Sequence, residues 1–346
     1  MELWENELLC SITTLSELKK TLELTQDELG AFENLHMPFR VTPHILHEII
    51  HNDYGGKIRM QYIPHVDSCK DFLNFRDDYL DETSNEVCKN LVKRYPNKAI
   101  LLATNMCAAY CRFCTRKRTV NDITRKNELS EAFDYLSKNP NIYDVIITGG
   151  DPLILNDTEL ENIFWNLRKI NSVEIIRINT RIPVTLPSRI SDCLIELLKK
   201  YNINYMNIHF EHPNELTQKT IDACLKLANN GILLGSQSVL LKNINNDCMT
   251  LKKLFKRLLL AKVRPYYLYE CDKITGCQQF YVNPSEGILL INQILEELPG
   301  LCVPRFVIDA PGKMGKITVS PNGLVKAENN SLLLKNYHSN EEFLYK

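Results

Sequence analysis

Three cysteines within eight residues, Cys107, Cys111 and Cys114 in CAAYCRFC, form the densest chemistry in the chain. Their spacing, three residues and then two, lets a loop leaving a strand turn three thiolates toward one metal centre. Zinc would ask for a fourth protein ligand or a catalytic water. A [4Fe–4S] cluster held by three cysteines keeps one iron free of protein and open to a small chelating molecule. The basic run TRKR follows directly. Other groups say less by themselves. The segment TGGDP (Thr148, Gly149, Gly150, Asp151) is either a place for a ligand to approach the backbone closely or an ordinary turn with an Asp cap. An amine in the glycine-containing segment DAPGKMGK, which holds Lys313 and Lys316, could form a Schiff base with an aldehyde, although most lysines are only solvated. Asp272 in YECD and Asp309 in VIDAP could each belong to a turn, and a lone His209 at the end of NIHF is more often a structural group.

Such groups act together only if a scaffold gathers them. From 99 onward short apolar runs alternate with longer amphipathic ones: AILLAT then ELSEAFDYLSKN, DVIITGG then DTELENIFWNLRKI, VEIIRINT then SRISDCLIELLKKY, INYMNIHF then NELTQKTIDACLKLANNG, ILLGSQSVLL then DCMTLKKLFKRLLLAK, and VRPYYLYE then PSEGILLINQILEEL. Six strand–helix units in succession predict an α/β protein with parallel strands and crossover helices, an open or partial (β/α)6 barrel. The loops after the strands then form the active face, where most of the unusual residues fall. Residues 1–93 read as an N-terminal helical region, with LSELKKTLEL in helical period, a Thr cap before QDEL, and Pro in the first turn of TPHIL. The barrel is expected over 94–319 and a short polar tail over 320–346.

The 346 residues carry 41 Lys and Arg against 42 Asp and Glu, a net charge of -1. That balance excludes a nucleic-acid binder built on a basic surface. Apolar runs such as AILLA and RLLLA fall far short of the roughly 18 residues of a membrane span. The start MELWENELLCSITT has acids where a secretory signal has bases, so a cytoplasmic protein is expected, with its twelve cysteines kept as thiols. Cys193 and Cys224 are expected on buried helical stripes.

The loop TNMCAAYCRFCTRKR resembles the signature of radical S-adenosylmethionine (radical SAM) enzymes, and more narrowly the lysine 2,3-aminomutase family. VKRYPNKAILL, DVIITGGDPLIL, TRIPVTLPSRI, IHFEHPNELT, GILLGSQSVLL, VRPYYLYECD and CVPRFVIDAPGKMGK agree in order with that family from about 90 to 320. The resemblance implies a radical SAM barrel. It also implies a [4Fe–4S] cluster on Cys107, Cys111 and Cys114, whose open iron binds the amino and carboxylate groups of S-adenosyl-L-methionine. Thr148, Gly149, Gly150 and Asp151 match the segment around the methionyl amino group, and His209 and Gln237 match positions near that cofactor. Lys316 matches the lysine that binds pyridoxal 5′-phosphate; Arg94 and Tyr95 match residues that help hold it. Lys313 and Met314 depart from the family's glycine run, which makes Lys313 a decoy or a second cation. Arg116 matches the binder of the substrate carboxylate, and Asp272 with Asp309 match the acids that clamp the distal ammonium of lysine.

The family therefore implies an isomerase that moves the amino group of L-lysine from C2 to C3, giving β-lysine, with a small amino acid as substrate and an electron donor of flavodoxin or ferredoxin type. The alternatives are another cationic amino acid such as arginine or ornithine, lysine destined for elongation factor P, or an iron–sulfur redox or sensor protein without substrate chemistry. Longer family members bind zinc through a C-terminal cysteine group and a cysteine at the position of Cys248, which helps assemble a homo-oligomer. The last cysteine here is Cys302, so no zinc is expected at Cys248.

Overall fold

The computed structural model describes residues 2–33, 35, 37–66, 75–120, 128–319, 324–328, 331–335 and 341–345. Ten strands form one sheet in chain order: β1 (Glu86–Cys88), β2 (Leu91–Tyr95), β3 (Lys98–Thr104), β4 (Asp144–Gly149), β5 (Ile175–Thr180), β6 (Tyr205–His209), β7 (Leu233–Val239), β8 (Val263–Tyr269), β9 (Arg305–Ala310) and β10 (Gly315–Thr318). From β3 to β9 every neighbour is parallel, while β1–β2, β2–β3 and β9–β10 are antiparallel.

The six expected strand–helix units are all present. Their helices are Ser130–Lys138, Asp157–Arg168, Asp192–Lys200, Gln218–Asn229, Cys248–Leu260 and Pro284–Glu297. Each of the middle four starts on a side-chain cap: Asn156, Ser191, Thr217 and Asp247 each accept a backbone N–H from the first turn. Their apolar stripes, such as Leu160, Ile163, Phe164 and Leu167, pack on sheet residues such as Val145, Ile147, Ile176 and Ile178 in one continuous core. Each such side chain contributes about 1.5–3 kcal/mol on leaving water.

Several expectations need correction. A seventh parallel strand, β9, follows the six units, and RFVIDA is short and apolar enough to have been read as one. The helical reading of 1–93 holds only for its first part. Helices run over Leu3–Leu9, Leu15–Leu18, Gln26–Glu33, Pro43–His51 and Arg59–Tyr62, but β1 and β2 belong to the sheet, so a boundary at 93 cuts β2. Asn90, in the left-handed region at φ 66°, turns the chain between those strands. LSELKKTLEL is helical only to Leu18, whose carbonyl also accepts the Thr21 hydroxyl at 3.0 Å. The tail carries a separate antiparallel sheet of β11 (Leu324–Glu328), β12 (Ser331–Lys335) and β13 (Glu342–Tyr345). Cys224 is buried as expected, but Cys193 is exposed, because its helix buries Leu194, Ile195, Leu197 and Leu198 instead.

The N-terminal region braces the mouth of the sheet. Thr42 caps the helix Pro43–His51, and its hydroxyl donates to the Thr185 carbonyl beyond β5 at 2.5 Å. Arg40 Nη1 donates to the Cys107 carbonyl at 2.9 Å, and Arg112 N–H donates to the Gln61 carbonyl at 2.8 Å. The last two bonds fix the cysteine loop from the N-terminal region.

On the same face His212 is buried, which lowers its pKa to about 4, and its Nδ1 accepts the Asn214 N–H. An unfolded histidine takes up a proton near pH 6.5. Between these values the unfolded chain binds more protons, so stability falls as the pH drops through that window. In thermal melts, His212→Asn is expected to lose less melting temperature than the parent chain between pH 6.5 and 4.5; equal losses contradict this.

Candidate active site

Chain leaving β3 carries the three cysteines. Cys107 and Cys114 pack against Met37, Tyr110 and Val120, and Cys111 against the apolar group around Phe113, Cys271 and Phe280. The three sulfurs do not all lie within 4.8 Å of one another. Burial pushes the Cys107 and Cys111 thiols up and that of Cys114 to about 11. Bare thiols therefore keep their protons at neutral pH and would give them up to water on binding a metal centre.

The TGGD segment at the end of β4 lies against this loop. Gly150 N–H donates to the Thr104 carbonyl at 2.6 Å, and Asp151 N–H to the Met106 carbonyl at 2.8 Å. A Cβ on Gly150 would sit 2.2 Å from the Met106 carbonyl oxygen, so the glycine is required by the neighbouring chain. Asp151 is a buried cap: it accepts from Leu153 N–H, from the Thr180 hydroxyl at 2.7 Å and from Arg181 N–H at 2.6 Å. Burial raises its pKa to about 6. Of the two options for TGGD, the structure shows the Asp-capped turn, packed against the cysteine loop. Gly150→Ala is expected to push the loop out of place and lower the iron retained per chain after anaerobic reconstitution by about half or more, consistent with a cost of a few kcal/mol for overpacking. Iron retention equal to that of the parent chain contradicts this.

Beside the loop, at the C-terminal ends of the parallel strands, lies a cavity of about 320 Å³. It is lined by Arg94, Tyr95, Arg116, Thr148, His209, Gln237, Asp272, Asp309 and Lys316, nine of the residues singled out from sequence. Gly149, Gly150, Asp151 and the three cysteines are not in its lining. Thr148 and His209 come from the ends of β4 and β6, Gln237 from β7, and Asp309 from β9.

The two ends of the open sheet meet across this cavity through side chains. Arg94 on β2 reaches Asp309 on β9 at 2.9 Å and the Gly312 carbonyl at 3.1 Å, with a further bond to the Ala310 carbonyl. Tyr95 Oη accepts the Lys316 N–H at 2.9 Å. That contact needs Gly315, whose φ is +68° and whose Cβ would strike the Tyr95 ring. Lys316 Nζ lies 3.2 Å from Asp309 Oδ2, with its side chain 30% exposed, and 5.7 Å from the centre of the Tyr269 ring. Lys313 is exposed and outside the lining.

Charges in the cavity are paired or held out of balance by burial. Arg116 donates through Nε and Nη2 to Glu82, at 2.8 Å for the shortest bond. Burial, and after it the charge of Asp309, pushes the Asp272 carboxyl well above the usual carboxylate range. Burial raises Glu270 as well. A row of polar side chains crosses the floor, from Asn207 to Asn179 at 3.1 Å, to Gln237 at 3.2 Å and to Tyr269 at 3.2 Å.

Glu82, Glu270, Tyr269 and Arg181 were not singled out from sequence. Glu270 and Tyr269 adjoin Asp272 in YECD, so their neighbour was the signal. Arg181 follows directly after β5, where strand-end position was the signal. Glu82 lies in a stretch read as helical and had none.

The radical SAM superfamily model matches residues 101–251, and the Lysine-2,3-aminomutase model matches residues 291–340. The class defined by the barrel and the cysteine loop is thus radical SAM. L-lysine 2,3-aminomutase of Clostridium subterminale is 38% identical over 96% of this chain and 82% of its own length. That of Acetoanaerobium sticklandii is 37% identical over 96% and 82%. Glutamate 2,3-aminomutase of Clostridioides difficile is 34% identical over 96% and 81%. The chain belongs to the lysine 2,3-aminomutase family.

Proposed function

We propose that this protein converts L-lysine to β-lysine by moving the amino group from C2 to C3. Carrying this reading is the convergence of Asp272 and Asp309 on the cavity that also holds Lys316 and Arg116. Relatives of similar identity include both lysine and glutamate mutases, so membership leaves the substrate to the side chains. Two acids attract an ammonium and repel a second carboxylate. Burial makes Asp272 reluctant to ionise alone, and a bound ammonium supplies the missing counter-charge.

The residues fit the family's cofactors. Cys107, Cys111 and Cys114 would hold a [4Fe–4S] cluster; Gly149, Gly150 and Asp151 would line the approach of S-adenosyl-L-methionine, with Thr148, His209 and Gln237 between it and the cavity. Lys316 would hold pyridoxal phosphate with Arg94 and Tyr95. When bound, these groups supply a carbon-centred radical that takes hydrogen from the substrate, and a carbonyl that carries the migrating nitrogen. The chain's own contribution is placement. Arg116, its guanidinium plane fixed by Glu82, turns Nη1 to the substrate carboxylate. Asp309 Oδ2, 3.2 Å from Lys316 Nζ, holds that amine at the cavity wall. Tyr266, Tyr267 and Tyr269 keep water from one wall.

A small amino acid is the substrate, a low-potential flavodoxin or ferredoxin the electron donor, and the cytoplasm the compartment. Among the described residues no helix is long and apolar enough to cross a membrane. The test is anaerobic incubation of the reconstituted protein with dithionite, S-adenosylmethionine and a panel of lysine, glutamate, arginine and ornithine, followed by mass spectrometry of derivatised products. β-Lysine as the main product is expected. A faster reaction with any other member of the panel contradicts the assignment.

A further inference from the structure

Arg181 occupies the turn after β5, and none of the roles above falls to its side chain. The guanidinium is buried, with only 7% of the side chain exposed. Nη1 donates to Cys111 Sγ at 2.7 Å, and Nη2 donates to Glu215 Oε1 at 2.6 Å and to Gln61 Oε1. Tyr62 and Phe113 lie 4.9 and 5.2 Å from its central carbon. Glu215 is itself fixed, because its other oxygen accepts the N–H groups of Glu211 and His212 at 2.5 and 2.9 Å. The cation is thus clamped at one end and aimed at a sulfur at the other. Arg40 also reaches the cysteine loop, but its bond goes to a backbone carbonyl.

A buried ion pair between Arg181 and Glu215 could simply tie the β5 and β6 loops together. That role uses Nη2 alone and gives no reason for Nη1 to meet Cys111. Negative charge on an iron-bound thiolate grows when the cluster takes an electron. A fixed cation on that sulfur, in dry surroundings between two aromatic rings, stabilises the reduced form more than the oxidised one. Hydrogen bonds to cluster sulfurs are one of the levers by which a protein sets the potential.

We propose that Arg181 is a positioning residue that fixes Cys111 and raises the reduction potential of the cluster. The inference rests on the cluster assignment above. In the step concerned, a low-potential one-electron donor loses one electron and the cluster gains it. The guanidinium stays protonated throughout, so no proton moves.

The experiment is a redox titration followed by electron paramagnetic resonance on the full chain, reconstituted anaerobically, with iron and sulfide measured on each sample. Arg181→Met/Glu215→Gln removes both charges of the pair. Its cluster is expected to be harder to reduce by a factor of about ten or more, equivalent to about 59 mV for one electron. Glu215→Gln keeps the cation and removes the nearby anion, so its midpoint is expected to move the opposite way. Full iron content with a parental midpoint in either protein overturns the proposal, and the single variant decides it if the double variant takes up no iron. A parent chain that assembles no cluster overturns the cluster assignment itself, a result told apart by the iron analysis.

Discussion

Lys316→Ala, reconstituted anaerobically with pyridoxal phosphate, is expected to show none of the absorbance of the bound aldehyde and to lose turnover by about 10³-fold or more. Its Nζ is the amine that enters the cavity, 3.2 Å from Asp309. Arg94 still holds Asp309 in that variant, at 2.9 Å, so the end of the sheet keeps its closure and the melting temperature is expected to stay near that of the parent chain. Lys313→Ala is the control. Lys313 is exposed and outside the lining, so its removal is expected to leave both absorbance and turnover within about twofold, as for other surface changes. Retention of the aldehyde and of full turnover by Lys316→Ala contradicts the assignment, and the reverse pattern would move the role to Lys313.

The second large effect concerns the acids. Asp272→Asn keeps the shape and removes one charge from a desolvated site. Losing a buried partner of an ammonium costs about 2 kcal/mol or more, roughly a 30-fold or larger rise in the KM for lysine. Because burial already holds the Asp272 carboxyl well above its ordinary range, the empty fold has lost stability at pH 8 relative to low pH. The amide is therefore expected to melt no lower than the parent chain there, which separates the KM effect from unfolding. Asp309→Asn behaves differently, because Asp309 also pairs with Arg94 and Lys316. It is expected to raise the KM and to weaken retention of pyridoxal phosphate together. A lysine KM within twofold of the parental value in both variants removes the basis for choosing lysine over glutamate.

What could be read in advance follows from how far each signal reaches along the chain. Strand–helix alternation is local, and it located six parallel strands and their helices. It failed where neighbours in space supply the stability: β1 and β2 follow an N-terminal region whose described elements are helices, and join a sheet that begins in earnest at β3. The cysteine loop was legible because its spacing is short. The nine residues that line one cavity were legible through resemblance, segment by segment. Partners were not. Asp309 was read as a clamp for substrate, and the structure also shows it joined to Arg94, from the far side of the sheet, and to Lys316. Glu82 against Arg116 and Arg181 against Cys111 are pairs 34 and 70 residues apart in sequence, with no periodicity to announce them. Gly150 could be read as room for a ligand or as part of a turn, and nothing local announced that the backbone of Met106 occupies the place of its missing side chain.

The central claim is that three thiolates from Cys107, Cys111 and Cys114 leave one iron to S-adenosylmethionine. Its most direct test is electron–nuclear double resonance on the dithionite-reduced protein, with S-adenosylmethionine labelled by ¹³C at the carboxylate and ¹⁵N at the amino group. Hyperfine coupling of both labels to the cluster is the predicted result. A fully assembled, reduced cluster that shows neither coupling would contradict the account at its base.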